Sequence, residues 1–338
     1  MNDIIIKNVK LNNFRIHENY KQDFDDNTTL ILGENGCGKT SVLEAIYIAL
    51  QGKSFRAVDR EIIRKKADFY RAEINYCNGE KVTVFYDGLK DKKQFLIKDK
   101  KTARLSKQNK YPIILFLPED LHLVISSPTS KREYFDRLVS QLDDKYSNSL
   151  SRYNKVLKQR NEILKQEYVD ADALFSWNIL LAKYGVEVRE KRREIIARIN
   201  EFLTETYRSI AKNDDMVEIK YKSYTGEILE SEYLRLLAMD FERDKITGHT
   251  NFGIHKDDFE FIFNGFNADG NASRGETRSI ILALKFIEAN LIFETLGKKP
   301  VVLLDDVFSE LDSVRQKSLV ENFKNHQVIL TSVKGVEL

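Results

Sequence analysis

Cysteine is nearly absent from this chain of 338 residues, with Cys37 and Cys77 the only two. Two thiols over such a length build no disulfide framework, which fits a reducing compartment and an expected cytoplasmic location. Proline is almost as scarce, at four residues, and no low-complexity tract marks a flexible linker between domains. No apolar run reaches about 18 residues, so neither a membrane span nor a membrane partner is expected. The opening residues, Met1 to Lys7, lack the basic region and long apolar core of a secretion signal. Charge of one sign is not in excess either. The 54 Lys and Arg against 52 Asp and Glu leave a net of +2, so any contact with a polyanion must come from local clusters. With 42% apolar and 31% charged residues, the chain is globular and long enough for a large core, in one big domain or two.

What is present is a phosphate-binding loop. Gly33, Glu34, Asn35, Gly36, Cys37, Gly38, Lys39 and Thr40 read G-x-x-x-x-G-K-T, followed by Ser41. The apolar, β-branched Thr28–Leu32 precedes the loop as a buried strand, and 41–50 follows it as a helix. Strand, glycine loop and helix is the context this motif requires. The glycines let backbone N–H groups turn around phosphate oxygens, and the helix N-terminus adds its partial positive charge. Lys39 then reaches the β- and γ-phosphates of ATP, and the Thr40 hydroxyl ligates Mg2+. A ligand-free glycine turn is the alternative, disfavoured by the flanks.

Residues 2–12 read as an edge strand, with a second polar strand at 17–24. From 69 to 98 the period is two, with Asn78-Gly79 joining two strands and a third following, which makes an antiparallel meander. The lysine-rich 98–110 reads as a solvated loop. Ser130-Lys-Arg-Glu133 fits a capping box opening a helical region to Leu164. A second amphipathic helix runs from about 173 to 212, with Trp177 in the helix-pair core. Arg189, Lys191, Arg192 and Arg193 alternate with glutamates and read as surface pairing. Arg56, Arg60, Arg64, Lys65 and Lys66 form the better basic cluster, a candidate DNA contact. No His/Cys grouping suggests zinc, and His255 is open between a structural and an interface role. Cys37 reads as filler in a permissive loop position.

Pro300 to Asp306 is an apolar run ending in two aspartates, the pattern of a buried strand that presents carboxylates beside the phosphate loop. Asp305 is placed on Mg2+, and Asp306 is placed to orient the attacking water with Lys39 as its catalytic partner. Ser273, Gly275 and Glu276 stand at another helix N-terminus, a second place for a phosphate.

With the phosphate loop upstream and the aspartates downstream, Ser273-Arg-Gly-Glu276 resembles the signature motif of ABC-type ATPases. Leu303-Leu-Asp-Asp-Val-Phe-Ser-Glu-Leu-Asp312 is similar to their acid pair and D-loop. Asn13-Phe-Arg15, Leu43-Glu-Ala45, Gly52 to Arg56, Pro118-Glu-Asp120, Gln159-Arg-Asn161 and Gly253 to Asp258 extend the resemblance over the chain, to the RecF family of SMC-like ATPases. The resemblance implies an α/β, ABC-type (SMC head-like) P-loop ATPase lobe with an inserted helical lobe and an antiparallel β-meander. Its expected boundaries are 1–128 for the lobe with the P-loop and meander, 129–212 for the helical insert, and 213–338 for the signature, acid pair and D-loop.

It further implies ATP held between two subunits of an ATP-dependent homodimer that clamps DNA, with Arg15 stacked on the adenine. Ser273, Gly275, Glu276 and Asp312 then complete the partner's site, and a RecR-type mediator is an expected partner. Departures from the family pattern are Cys37 in the P-loop, Glu276-Thr277 after the signature glycine, and Ile254 and Lys256 in the 253–258 element. Thr331-Ser332 ends the last strand where transporter ATPases carry a histidine, so slow hydrolysis is expected. A transporter subunit, a nucleotide-gated scaffold with little turnover, and a relative turned to defence are the competing readings.

Overall fold

A computed structural model describes residues 4–223 and 229–333. The chain forms two compact units, one from residues up to Leu121 and from Glu288 onward, the other from His122–Ile287. Residues 213–287, grouped by sequence with the ATPase lobe, therefore lie in the same unit as the helical insert.

The first unit opens with β1 (Ile6–Phe14), β2 (His17–Asp23) and β3 (Thr28–Leu32), then the phosphate loop and α1 (Lys39–Gln51). After a single turn, α2 (Asp59–Ile62), come β4 (Phe69–Tyr76), β5 (Lys81–Asp87), β6 (Lys92–Ile97), β7 (Lys100–Thr102) and β8 (Ile113–Phe116). The second unit holds α3 (Pro128–Leu142), α4 (Asp144–Leu164), α5 (Ala171–Ala211), β9 (Val217–Lys222), α6 (Glu230–Met239), α7 (Phe241–Thr247), β10 (Asp258–Phe263) and β11 (Phe266–Asn267). The unit boundary falls inside α8 (Arg274–Leu296), and the chain ends through β12 (Val301–Leu304), α9 (Ser313–Phe323) and β13 (Val328–Ser332).

Two sheets make the first unit. One is antiparallel, in the order β2-β1-β4-β5-β6-β7, and the other is parallel, in the order β3-β13-β12-β8. Helix α1 packs on β1, β4 and β5 and also on β8 and β13. Every residue from Ser41 to Leu50 is buried, so this helix is covered around its whole circumference, with Ser41 and Glu44 as its buried polar members. The edge expected at residues 2–12 belongs instead to β2, which has no buried residue, while β1 turns Val9, Leu11 and Phe14 into the core. The meander is as read, with Gly79 at φ 83° in its first turn. A short β7 extends it into the lysine-rich segment. Gln327 ties the two ends of the chain by accepting from the Ile6 N–H at 2.8 Å and donating to the Ile6 and Asp25 carbonyls.

In the second unit the helical region from 128 to 164 is two helices. Asp143 breaks it, and its carboxylate accepts from the N–H groups of Lys145 (2.7 Å) and Tyr146 (3.2 Å), restarting the chain as α4. The cap of α3 is Ser127, not Ser130, because Pro128 sets the first helical φ and leaves Ser127 outside. Trp177 is half-buried rather than central. Arg189 and Arg192 correct the surface reading of their cluster, since both are almost wholly buried. Arg189 pairs with Asp257 at 3.1 Å, and Arg192 grips Asp136 and donates to the Ile254 carbonyl at 2.8 Å. Arg160 is sealed in with Asp244 and Thr250, both at 2.7 Å. Helix α5 clamps β9 through Asn200 and Thr204, whose side chains bond the backbone of Ile219 and Val217.

Candidate nucleotide site

The parallel order brings the C-terminal ends of β3, β13 and β12 side by side, the place where open α/β sheets bind ligands. Gly33 begins the loop that leaves β3. Gly36 and Gly38 take φ of 82° and 97°, and a Cβ at Gly38 would stand 2.3 Å from His17 Nε2. Only glycine fits there. Glu34, Asn35, Gly36 and Cys37 are exposed, while Lys39 and Ser41 are buried under them. Lys39 Nζ donates to the carbonyls of Gly33 (2.9 Å) and Glu34 (3.2 Å) and lies 3.6 Å from Asp306.

Across the strand ends, Thr40 donates to Asp305 Oδ1 at 2.9 Å, and Thr331 donates to the same oxygen at 2.9 Å. The Thr331 hydroxyl also accepts from the Asp306 N–H at 2.9 Å. This hydroxyl therefore sets both aspartates, a role sequence reasoning missed. The available signal was a hydroxyl at the end of a buried strand paired beside the phosphate loop. Burial pushes the Asp305 carboxyl up from its usual range, against the pull of Thr40 and Thr331. Asp306 sits in left-handed backbone at φ 50°, and its Oδ1 is buried with no hydrogen-bond partner among the described residues.

A hydroxyl and two carboxylates, one of them with an orphaned oxygen, are hard donors suited to Mg2+. No group of three or more His, Cys, Asp or Glu able to hold a metal occurs among the described residues.

Glu44, one turn along α1 from Thr40 and fully buried, carried no role in the Leu43-Glu-Ala45 resemblance, yet it gathers Arg15 and Arg56. Arg15 meets it with a two-pronged contact at 2.9 and 2.7 Å, Arg56 donates at 3.1 and 2.9 Å, and Ser54 adds 2.6 Å. Burial opposes ionisation of Glu44, but Arg15, Arg56 and Ser54 outweigh it and hold its carboxyl below the ordinary value. Arg64 pairs with Glu18 at 3.0 Å. Arg60, Lys65 and Lys66 are exposed.

In the second unit, Ser273 and Glu276 close a reciprocal cap on α8. The Ser273 N–H donates to Glu276 at 2.6 Å and the Glu276 N–H to Ser273 Oγ at 3.3 Å, with Gly275 between them. Asp312 caps α9 by accepting from the Arg315 N–H at 3.0 Å and pairs with its guanidinium. His255 bonds through both ring nitrogens, with the Tyr153 hydroxyl at 2.8 Å and the Thr250 carbonyl at 2.9 Å, and burial lowers its pKa to about 4. It is a neutral structural histidine at ordinary pH.

The family model described as "RecF/RecN/SMC N terminal domain" matches residues 5–337. The chain belongs to this RecF/RecN/SMC family. Within it, the DNA replication and repair protein RecF of Clostridium perfringens is 33% identical over 341 residues, covering 98% of this chain and 93% of that protein. RecF of Clostridioides difficile is 33% identical over 349 residues, covering 97% and 91%. A solved RecF structure, described as the recombination mediator protein RecF-ATP in the RecFOR pathway, aligns at TM-score 0.88 and 26% identity over 99% of this chain and 94% of that one. An Smc head bound to the C-terminal winged-helix domain of ScpA aligns at TM-score 0.52 and 14% identity, a likeness of fold. The fold is thus the ABC-type, SMC-head-like α/β fold of the RecF family, with its mixed sheets and antiparallel meander.

Proposed function

We propose that this RecF-family protein binds and slowly hydrolyses ATP, and that ATP drives two copies to clamp DNA during recombinational repair. The observation that carries the reading is the convergence of Lys39, Thr40, Asp305 and Asp306 within hydrogen-bond or ion-pair reach around the tips of three parallel strands. The Lys39 ammonium, which donates to the Gly33 and Glu34 carbonyls at the base of the loop, would pair there with the phosphates of ATP. Thr40 and Asp305 would hold Mg2+, which would supply neutralisation of the phosphate charge. Asp306, with one oxygen already orphaned, accepts the proton side of the attacking water and fixes its direction. Thr331 contributes a hydroxyl where an imidazole would help break the γ-phosphate bond, which supports slow turnover.

Under the same reading Arg15 lies against the adenine while Glu44 holds its fork. Ser273, Gly275, Glu276 and Asp312 of a second copy close the site, and hydrolysis releases the clamp. Arg60, Lys65 and Lys66, with the exposed side of Arg56 and Arg64, contact the DNA backbone, and a RecR-type protein joins the clamp to load the recombinase at gaps. The test is Lys39→Met. ATP binding, measured with a fluorescent analogue, should be lost, and the ATP-dependent gain in affinity for gapped duplex should vanish with it. Across salt, wild-type affinity should fall steeply, as phosphate contacts require. Full ATP-dependent DNA affinity in the Met variant would overturn the reading.

A further inference from the structure

The β6–β7 hairpin and the segment after it carry a charge that the nucleotide site does not use. Residues 98–110 hold six cations, Lys98, Lys100, Lys101, Arg104, Lys107 and Lys110, against one acid, Asp99. The whole chain carries only +2, so this surplus is local. Every residue of the segment except Leu105 is exposed. Lys98 is paired with Glu80 at 2.7 Å. Lys100, Lys101 and Arg104 have no ion-pair partner among the described residues. Lysines on an edge strand guard a sheet against pairing with another chain. That accounts for Lys100 and Lys101 on β7, the last strand of its sheet, and for nothing beyond residue 102.

The segment is tied down along its length. Its turn, Lys98-Asp99, is a two-residue hairpin loop with both residues in left-handed backbone, at φ 48° and 61°. Leu105 is buried against Gly52, its Cβ 3.3 Å from where a Cβ at that glycine would stand. Past the far end, the Tyr111 N–H donates to the Leu50 carbonyl at 3.1 Å, and the Gln51 side chain donates to the Tyr111 carbonyl at 2.8 Å. Lys93 of β6 donates to the Gly52 carbonyl at 3.1 Å and pairs with Asp59 at 2.7 Å. These bonds fasten the hairpin to residues 50–59, the stretch that leads into Arg60, Lys65 and Lys66. A ligand therefore meets cations on a fixed backbone, and little ordering cost opposes binding.

We propose that residues 98–110 are a further DNA contact, gripping the sugar-phosphate backbone of a duplex through Lys100, Lys101 and Arg104 without reading its bases. The proposal rests on the reading that the protein binds DNA, and adds a surface which that reading does not contain. The chemistry of the segment selects this occupant over a protein. Protein partners anchor on aromatic or aliphatic side chains at the centre of an interface. Residues 98–110 expose no large apolar side chain, because Leu105 is turned inward. Their exposed uncharged residues include Thr102, Ser106, Gln108 and Asn109, side chains of the kind that bond phosphate and sugar oxygens. With Asp99 and Glu80 set against the six cations, a surplus of four positive charges remains for a polyanion.

The test uses the full chain with the ATP analogue and a fluorescein-labelled gapped duplex, read by anisotropy from about 50 to 200 mM salt. The triple variant Lys100→Gln/Lys101→Gln/Arg104→Gln should weaken binding about tenfold or more at the lowest salt. It should also flatten the slope of log affinity against log salt by about 2 to 3, since each phosphate contact contributes about 0.9. The loss should be equal for duplexes of unrelated sequence. A matched triple on α4, Lys145→Gln/Lys155→Gln/Lys158→Gln, removes the same charge and should change the slope by less than about 1. Binding of the ATP analogue in the hairpin triple should match wild type, which shows that the protein is folded. A hairpin triple with the wild-type slope, or an α4 triple that loses as much, would overturn this surface and leave the DNA reading standing. Poly-glutamate that binds wild type as tightly as the duplex does, and is lost in the hairpin triple, would assign the segment to an acidic protein instead. A wild-type protein that binds no DNA would overturn the surface and the DNA reading together.

Discussion

At the scale of the single residue, Asp305 is a carboxyl held where burial works against its charge. Its carboxyl is almost wholly buried beside Asp306, and burial lifts it above its ordinary value. A raised carboxylate destabilises the folded state while ionised, so the apo protein gains stability as pH falls through the folded value. Asp305→Asn keeps an oxygen to accept from Thr40 and Thr331 and removes the charge. It should raise the stability of the nucleotide-free protein by roughly 0.5–2 kcal/mol while abolishing Mg-dependent hydrolysis, read by thermal melts and phosphate release. Melts unchanged or lowered in the Asn variant would show that Asp305 is not a strained ion in the apo fold. The phosphate loop and the acid pair were legible because each is a contiguous motif whose spacing and flanking strand can be read locally. Glu44 and Thr331 were not, since their partners lie far off in sequence at Arg15, Arg56, Asp305 and Asp306, and no local period marks a buried carboxylate.

At the scale of the element, periodicity told the truth about faces and less about breaks. The apolar residues Phe135, Leu138, Val139, Tyr146 and Tyr153 are buried, and they fall on two helices rather than one. The break is invisible to hydrophobic spacing because Asp143 keeps the stripe in phase while stepping out to φ −135°, ψ 115°. Its energy lies in two N–H groups and the contact to Lys191. Asp143→Ala should cost about 1 kcal/mol in urea unfolding, as loss of an N-cap does. Asp143→Asn should lose only a few tenths, because the amide oxygen still caps and only the exposed ion pair with Lys191 goes. Equal losses in both variants would shift the effect from the cap to the charge. The same blindness explains Arg189 and Arg192, whose alternation with glutamates looks solvated until α5 is placed against the loop that holds Ile254 and Asp257.

At the scale of the whole molecule, the division of the chain rests on contacts that join distant segments. The helical insert looked complete at residue 212, but Asn200 and Thr204 of α5 bond the β9 backbone, and Arg132, Arg189 and Arg192 hold the loop before β10. Those bonds assign 213–287 to the helices, and side chain–backbone pairing of this kind leaves no trace in a sequence period.

The signature segment therefore belongs to the second unit, with its serine capping α8. If that serine also meets the triphosphate of a second copy, its two tasks can be separated. Aspartate caps a helix as well as serine does, but sets a negative charge opposite the γ-phosphate. Ser273→Asp should melt within a degree or two of wild type and bind the ATP analogue normally, yet sediment as a monomer with ATP under conditions where wild type becomes a dimer. A Ser273→Asp protein that still dimerises with ATP would leave Ser273 as a cap and nothing more.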